Sequence, residues 1–138
     1  MSFPQSIRTD STSDAPAHRG ERTVMIVEDD EAYRYALART VASLGHRVVE
    51  MQSGLDALKW FDDGGRIDAL ISDLRLPAGT PNGVSVALMV HRRQPHAVIF
   101  LHSAFEGLAD SIDDDLGRLM PKSAGMAPMI DALQGAFA

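Results

Sequence analysis

Val24-Met25-Ile26-Val27-Glu28-Asp29-Asp30 is an apolar run that stops abruptly at three acids. Four apolar residues in a row, two of them Val and one Ile, suit a strand buried on both faces. A strand with one wet face would alternate. Beyond the acids the period changes. Tyr33, Leu37, Thr40, Val41 and Leu44 recur at helical spacing, and Gly45 stands where a helix C-terminus favours it.

The alternation then repeats. Arg47–Met51 reads as a second strand, and Ser53 with Asp56 as a capping box opening a helix to about Phe61. Trp60 and Phe61 are expected to pack that helix on the sheet, and Gly64-Gly65 marks a turn. Ala69–Ser72 is a third strand ending at Asp73. A loop carrying Pro77, Gly79, Pro81 and Gly83 leads to a helix over about Val84–Arg93. Pro95 ends it, and Ala97–Leu101 reads as the fourth strand. A weak helix around Phe105–Ile112, a short strand at Arg118–Met120, and a last helix with Met126, Met129, Ile130, Leu133 and Phe137 on one face complete the chain. Strand and helix alternate five times. That pattern predicts an α/β fold with a parallel sheet covered on both faces, and ligands at the carboxyl ends of its strands.

Composition bounds the rest. The chain has 138 residues, enough for one domain. Residues 1–22 are rich in Ser, Thr and Pro without a period and read as a disordered tail, leaving 23–138 as the folded unit. Thirteen Lys+Arg against 19 Asp+Glu give a net charge of −6, which argues against nucleic acid as a partner. There is no cysteine, so disulfides, thiolate metal sites and Cys nucleophiles are excluded. No apolar run approaches the ~18 residues of a membrane span. No apolar stretch of signal-peptide type opens the chain, so a cytoplasmic location is expected.

The strand ends gather the chemistry. Glu28 and Asp29 end the first strand, Asp73 the third, His102 and Ser103 the fourth, and Pro121 and Lys122 the fifth. Clustered carboxylates repel unless a cation joins them, and an all-oxygen donor set points to a hard ion, usually Mg2+. An Asp beside such an ion can act as nucleophile on a phosphoryl group, whose oxygens a hydroxyl and a lysine would then meet. The five His are scattered and suggest no metal cluster.

On these residues the chain resembles the response-regulator receiver domains of two-component signalling. The resemblance rests on Val24–Asp30, on Leu70-Ile71-Ser72-Asp73-Leu74-Arg75-Leu76-Pro77, on Ile99-Phe100-Leu101-His102-Ser103-Ala104 and on Leu119-Met120-Pro121-Lys122, in order over residues 23–138. It implies a doubly wound, flavodoxin-like sheet in the order 2-1-3-4-5. It also implies Asp73 as phosphoacceptor, and Asp29 as a direct Mg2+ ligand with Glu28 acting mostly through water. The backbone carbonyl of Arg75 would be a further ligand. Ser103 would bond the phosphoryl group beside small Ala104, and Lys122 would pair with a phosphoryl oxygen. Asp30 then falls in the first helix, favourable to its dipole. The partners implied are a histidine kinase or phosphotransfer protein and a downstream protein. Glu106, Asp110 and Asp113–Asp115 form an acidic segment suited to a basic partner.

The chain departs from that family in four places. Leu119 stands where an aromatic residue is common, and Ser123 follows the lysine where proline is usual. Either Lys122–Ser123 is trans and the lysine is aimed differently, or a cis bond costing about 2.5–4 kcal/mol is tolerated. The loop through Ala78–Gly83 is long, and the stretch from Ser103 to Lys122 is short. A stand-alone receiver is the leading reading, since the sequence ends within the fifth helix. The alternative is a degenerate receiver serving as a phosphorylation-independent interaction module. An aspartyl-phosphate phosphohydrolase would usually carry a second Asp where Arg75 stands, and a flavodoxin-type flavin binder would need a Ser/Thr/Gly-rich loop where the acids stand.

Overall fold

The computed structural model describes residues 21–75, 82–104 and 116–138. Five strands form one parallel sheet: β1 (Thr23–Val27), β2 (Arg47–Met51), β3 (Ala69–Asp73), β4 (Val98–Ser103) and β5 (Arg118–Pro121). Their order is β2-β1-β3-β4-β5, the doubly wound arrangement expected, with the reversal of order between β1 and β3. Among the described residues, four α-helices connect or follow them: α1 (Glu31–Ser43), α2 (Gly54–Asp62), α3 (Gly83–Arg93) and α4 (Ala127–Phe137). The weak helix expected around Phe105–Ile112, most of the tail, the acidic segment and loop residues 76–81 lie outside the described residues.

Side-chain alternation along the strands sorts the core into two layers. Met25, Val27, Leu70, Ile99 and Leu101 meet Ala57 and Phe61 of α2 and Val86, Ala87 and Val90 of α3. Val24, Ile26, Ala69, Ile71 and Phe100 meet Leu37, Ala38 and Val41 of α1 and Met129 and Leu133 of α4. Burying one apolar stripe per helix in this way is worth roughly 1.5–3 kcal/mol for each large side chain removed from water. Phe61 is in the core, and Trp60 stacks edge-on against it with 5.3 Å between ring centroids.

Local signals set the element ends. Ser53 accepts from the Asp56 N–H at the start of α2, and Gly45 takes a positive φ of 94° after α1. Asp30 is the N-cap of α1, its side chain accepting from the Tyr33 N–H, rather than a residue within the helix. β4 starts one residue later and runs two residues further than its apolar run indicates. His102 and Ser103 continue the ladder, pairing with Asp73 on one side and with Met120 and Pro121 on the other. At the chain's near end, Arg22 already joins the sheet's margin: Arg47 N–H donates to its carbonyl at 2.8 Å.

Gly83, the first residue of α3, has a packing reason. A Cβ there would collide with the Asp73 carbonyl oxygen and with Leu74 Cα, so the helix can approach the end of β3 only without a side chain.

Candidate functional site

The carboxyl ends of β1, β3 and β5 converge because the order of the sheet makes β3 the neighbour of both β1 and β4. Glu28 follows β1 directly and is fixed through its backbone, its N–H donating to Met51 O at 3.0 Å and its carbonyl accepting from Arg34 Nη1 at 2.8 Å. Asp73 closes β3, and the register pairs it with His102. Ser103 is one residue further along β4. It pairs with Pro121, so Lys122 sits just past Ser103's partner.

Carboxylate oxygens of Glu28, Asp29 and Asp73 all lie within 4.8 Å of one another. Glu28 and Asp73 are buried and Asp29 is exposed. Lys122 Nζ bridges the two buried acids, donating to Glu28 Oε1 at 2.8 Å and to Asp73 Oδ2 at 3.3 Å. The Lys122–Ser123 bond is trans, and the lysine reaches the acids nonetheless. Of the two conformations open from sequence, the trans bond holds, without redirecting the side chain away from the carboxylates. The second oxygen of Asp73 accepts from the Arg75 N–H at 3.1 Å, and that of Glu28 from the Asp30 N–H at 3.1 Å. Ser103 is buried at the site's margin.

One ammonium against three carboxylates leaves the cluster short of positive charge. Burial, helped by the charge of Asp73, pushes the Glu28 carboxyl up to about 6, against the opposing pull of Lys122. Burial on its own would lower the Lys122 pKa. The hydrogen bond it donates to Glu28 and the charge of Asp73 more than offset it, so the ammonium is held above its ordinary range. An all-oxygen donor set this compact, with unbalanced negative charge, fits a small hard dication such as Mg2+.

Behind the lysine stands a pair that sequence reasoning passed over. The Tyr33 hydroxyl lies 3.1 Å from His102 Nδ1 and 3.3 Å from Nε2. The Tyr33 ring faces Lys122, whose Nζ is 4.6 Å from the ring centroid. His102 is almost fully buried, and burial, followed by the charge of Lys122, lowers its pKa to about 4. In sequence, Tyr33 reads as one more member of the helical apolar stripe. The signal that could have found the pair is His102 itself, a polar residue two positions after Phe100 on a buried strand and so on the face covered by α1. Leu119, in contrast, packs against the opposite layer with α2 and α3.

The response regulator receiver domain family matches residues 24–127. Among curated relatives, the chain is 39 % identical over 59 residues to the sensor kinase CckA of Brucella abortus (strain 2308), covering 42 % of this chain and 6 % of that one. It is 29 % identical over 84 residues to a cyclic di-GMP phosphodiesterase of Thermotoga maritima, covering 61 % of this chain and 22 % of that one. The chain thus spans less than a quarter of the length of either. In fold it is similar to the response regulator protein TrrA of Thermotoga maritima, solved in complex with Mg2+ and BeF. The TM-score is 0.74 at 22 % identity, over 83 % of this chain and 98 % of that one. The receiver domain of the hybrid histidine kinase CckA matches with a TM-score of 0.68 at 23 % identity, over 84 % and 99 %. Among the described residues, no helix is long and apolar enough to cross a membrane.

Proposed function

The chain belongs to the response regulator receiver domain family, and from that premise we propose that it accepts a phosphoryl group on Asp73 and signals by binding another protein. The donor is a histidine kinase or phosphotransfer protein in the cytoplasm. The observation that carries this reading is the joint placement of three carboxylates within 4.8 Å and Lys122 bridging two of them.

Glu28, Asp29 and Asp73, with the backbone carbonyl of Arg75, would hold Mg2+, which when bound supplies positive charge against the phosphoryl oxygens. An Asp73 carboxylate oxygen attacks phosphorus and the bond from phosphorus to the donor's imidazole nitrogen breaks. An acyl phosphate forms, and the imidazole leaves with the electron pair and takes up a proton. Lys122 gives up its contact with Asp73 and pairs with a phosphoryl oxygen, neutralising part of the transferred charge. Ser103 donates a hydrogen bond to another. The acidic residues Glu106, Asp110 and Asp113–Asp115 supply a charge run for a basic partner surface.

The test is intact mass of the full chain after incubation with Mg2+ and a small acyl phosphate. One added phosphoryl group in Mg2+, and none in EDTA, is the expected result. No adduct under either condition would leave the alternative, an interaction module that works without phosphorylation. The trans peptide after Lys122 counts against that alternative, since Ser123 does not cost the site its lysine.

A further inference from the structure

We infer that Tyr33 is a positioning residue for Lys122, its ring holding the ammonium toward the two buried carboxylates while the buried His102 fixes the ring through its hydroxyl. The inference rests on the phosphoacceptor reading above for what the lysine is positioned to do.

Lys122 has four flexible carbons and needs restraint to deliver its charge to one spot. Two carboxylates alone do not give it: once Asp73 carries a phosphoryl group, the contact at 3.3 Å is no longer to a free carboxylate. The Tyr33 ring, 4.6 Å from Nζ, is untouched by that change, and a cation over an aromatic face is attracted wherever the counter-charge goes. The ring is in turn not free to swing. Its hydroxyl meets the imidazole of His102, whose backbone lies in β4 between Asp73 of β3 and Met120 of β5. The phenol and a ring nitrogen of that imidazole share a hydrogen bond at 3.1 Å, and burial disfavours the imidazolium that would repel Lys122. The result is a stack from β4 to α1 to the lysine of β5's end, three elements that otherwise touch the site separately.

The chain's two lysines, Lys59 and Lys122, make the test direct. In the full chain with Mg2+, NMR of lysine labelled at the ε-carbon should show one ordinary εCH2 signal and one shifted upfield by an aromatic ring. The shift should persist in Tyr33→Phe and vanish in Tyr33→Leu. Beryllofluoride affinity should fall about tenfold in Tyr33→Leu, the size a partly desolvated cation–π contact supports, and less in Tyr33→Phe. Mg2+ affinity should not fall, because the Tyr33 hydroxyl bonds His102 and a less restrained ammonium competes less for the carboxylates. An unshifted Lys122 signal in wild type, or undiminished beryllofluoride binding in Tyr33→Leu, overturns the inference. Wild type that takes no beryllofluoride while showing the upfield shift would overturn the phosphoacceptor reading, and with it the purpose assigned to Tyr33.

Discussion

His102 shows most directly how one residue's surroundings govern its chemistry. Its neutral form is favoured in the fold because burial, and then Lys122, penalise the cation, which brings its pKa from 6.5 to about 4. The unfolded chain therefore binds an extra proton between those values, and stability contributed by the neutral ring is complete above about 6.5 and lost as pH falls toward 4. Glu28 acts in the opposite direction, since its raised value favours the fold at lower pH. Comparing wild type with His102→Leu cancels that opposing effect. Denaturant unfolding should show the advantage of wild type shrinking by up to about 3 kcal/mol from neutral pH to about pH 4, and parallel pH profiles would contradict it. The two acids after β1 divide differently. Asp29 is exposed and offers its carboxylate as a metal ligand, while Glu28 is buried and already engaged by Lys122 and the Asp30 N–H. Mg2+ titration should show Asp29→Ala weakening binding more than Glu28→Ala. The reverse order would mean that Asp29 and Asp30 are the functional pair.

Elements were legible where the pattern was unmixed and obscure where a polar residue lies inside one. β2 was readable from Arg47–Met51 to the residue, and Ser53 from its three-residue spacing to Asp56. β4 was not, because its apolar run ends at Leu101 while its backbone pairing continues through His102 and Ser103. Hydrophobicity reports burial against apolar neighbours, and here His102 is buried against a phenol. Asp30 illustrates the same limit from the other side: dipole reasoning favours it anywhere in the first turn, and only its bond to the Tyr33 N–H at 3.1 Å identifies it as the cap. Asp30→Ala should therefore cost about 1 kcal/mol in chemical denaturation and leave Mg2+ affinity unchanged. A large loss of Mg2+ affinity with little loss of stability would assign Asp30 to the metal instead. Gly83→Ala should destabilise by roughly 1–3 kcal/mol, since α3 must retreat from the Asp73 carbonyl, and an unchanged unfolding midpoint would contradict that close approach.

At the scale of the whole molecule, the fold was legible because five repeats of strand and helix leave few arrangements, and an all-apolar strand cannot sit in a one-sided sheet. The convergence of strand ends was legible for the same reason: in a doubly wound sheet the residues after each strand share one edge. The pairing of Tyr33 with His102 was not, because the two are 69 positions apart and each has an ordinary local role. The central claim is that this edge is a phosphoacceptor site with Asp73 as its nucleophile. The most direct measurement is parallel labelling of wild type and Asp73→Asn with a small acyl phosphate in Mg2+, read by intact mass with the unfolding midpoint of each recorded. The account predicts one phosphoryl group on wild type and none on the variant, with the variant still folded. Equal labelling of both chains, or an unlabelled wild type, would contradict it.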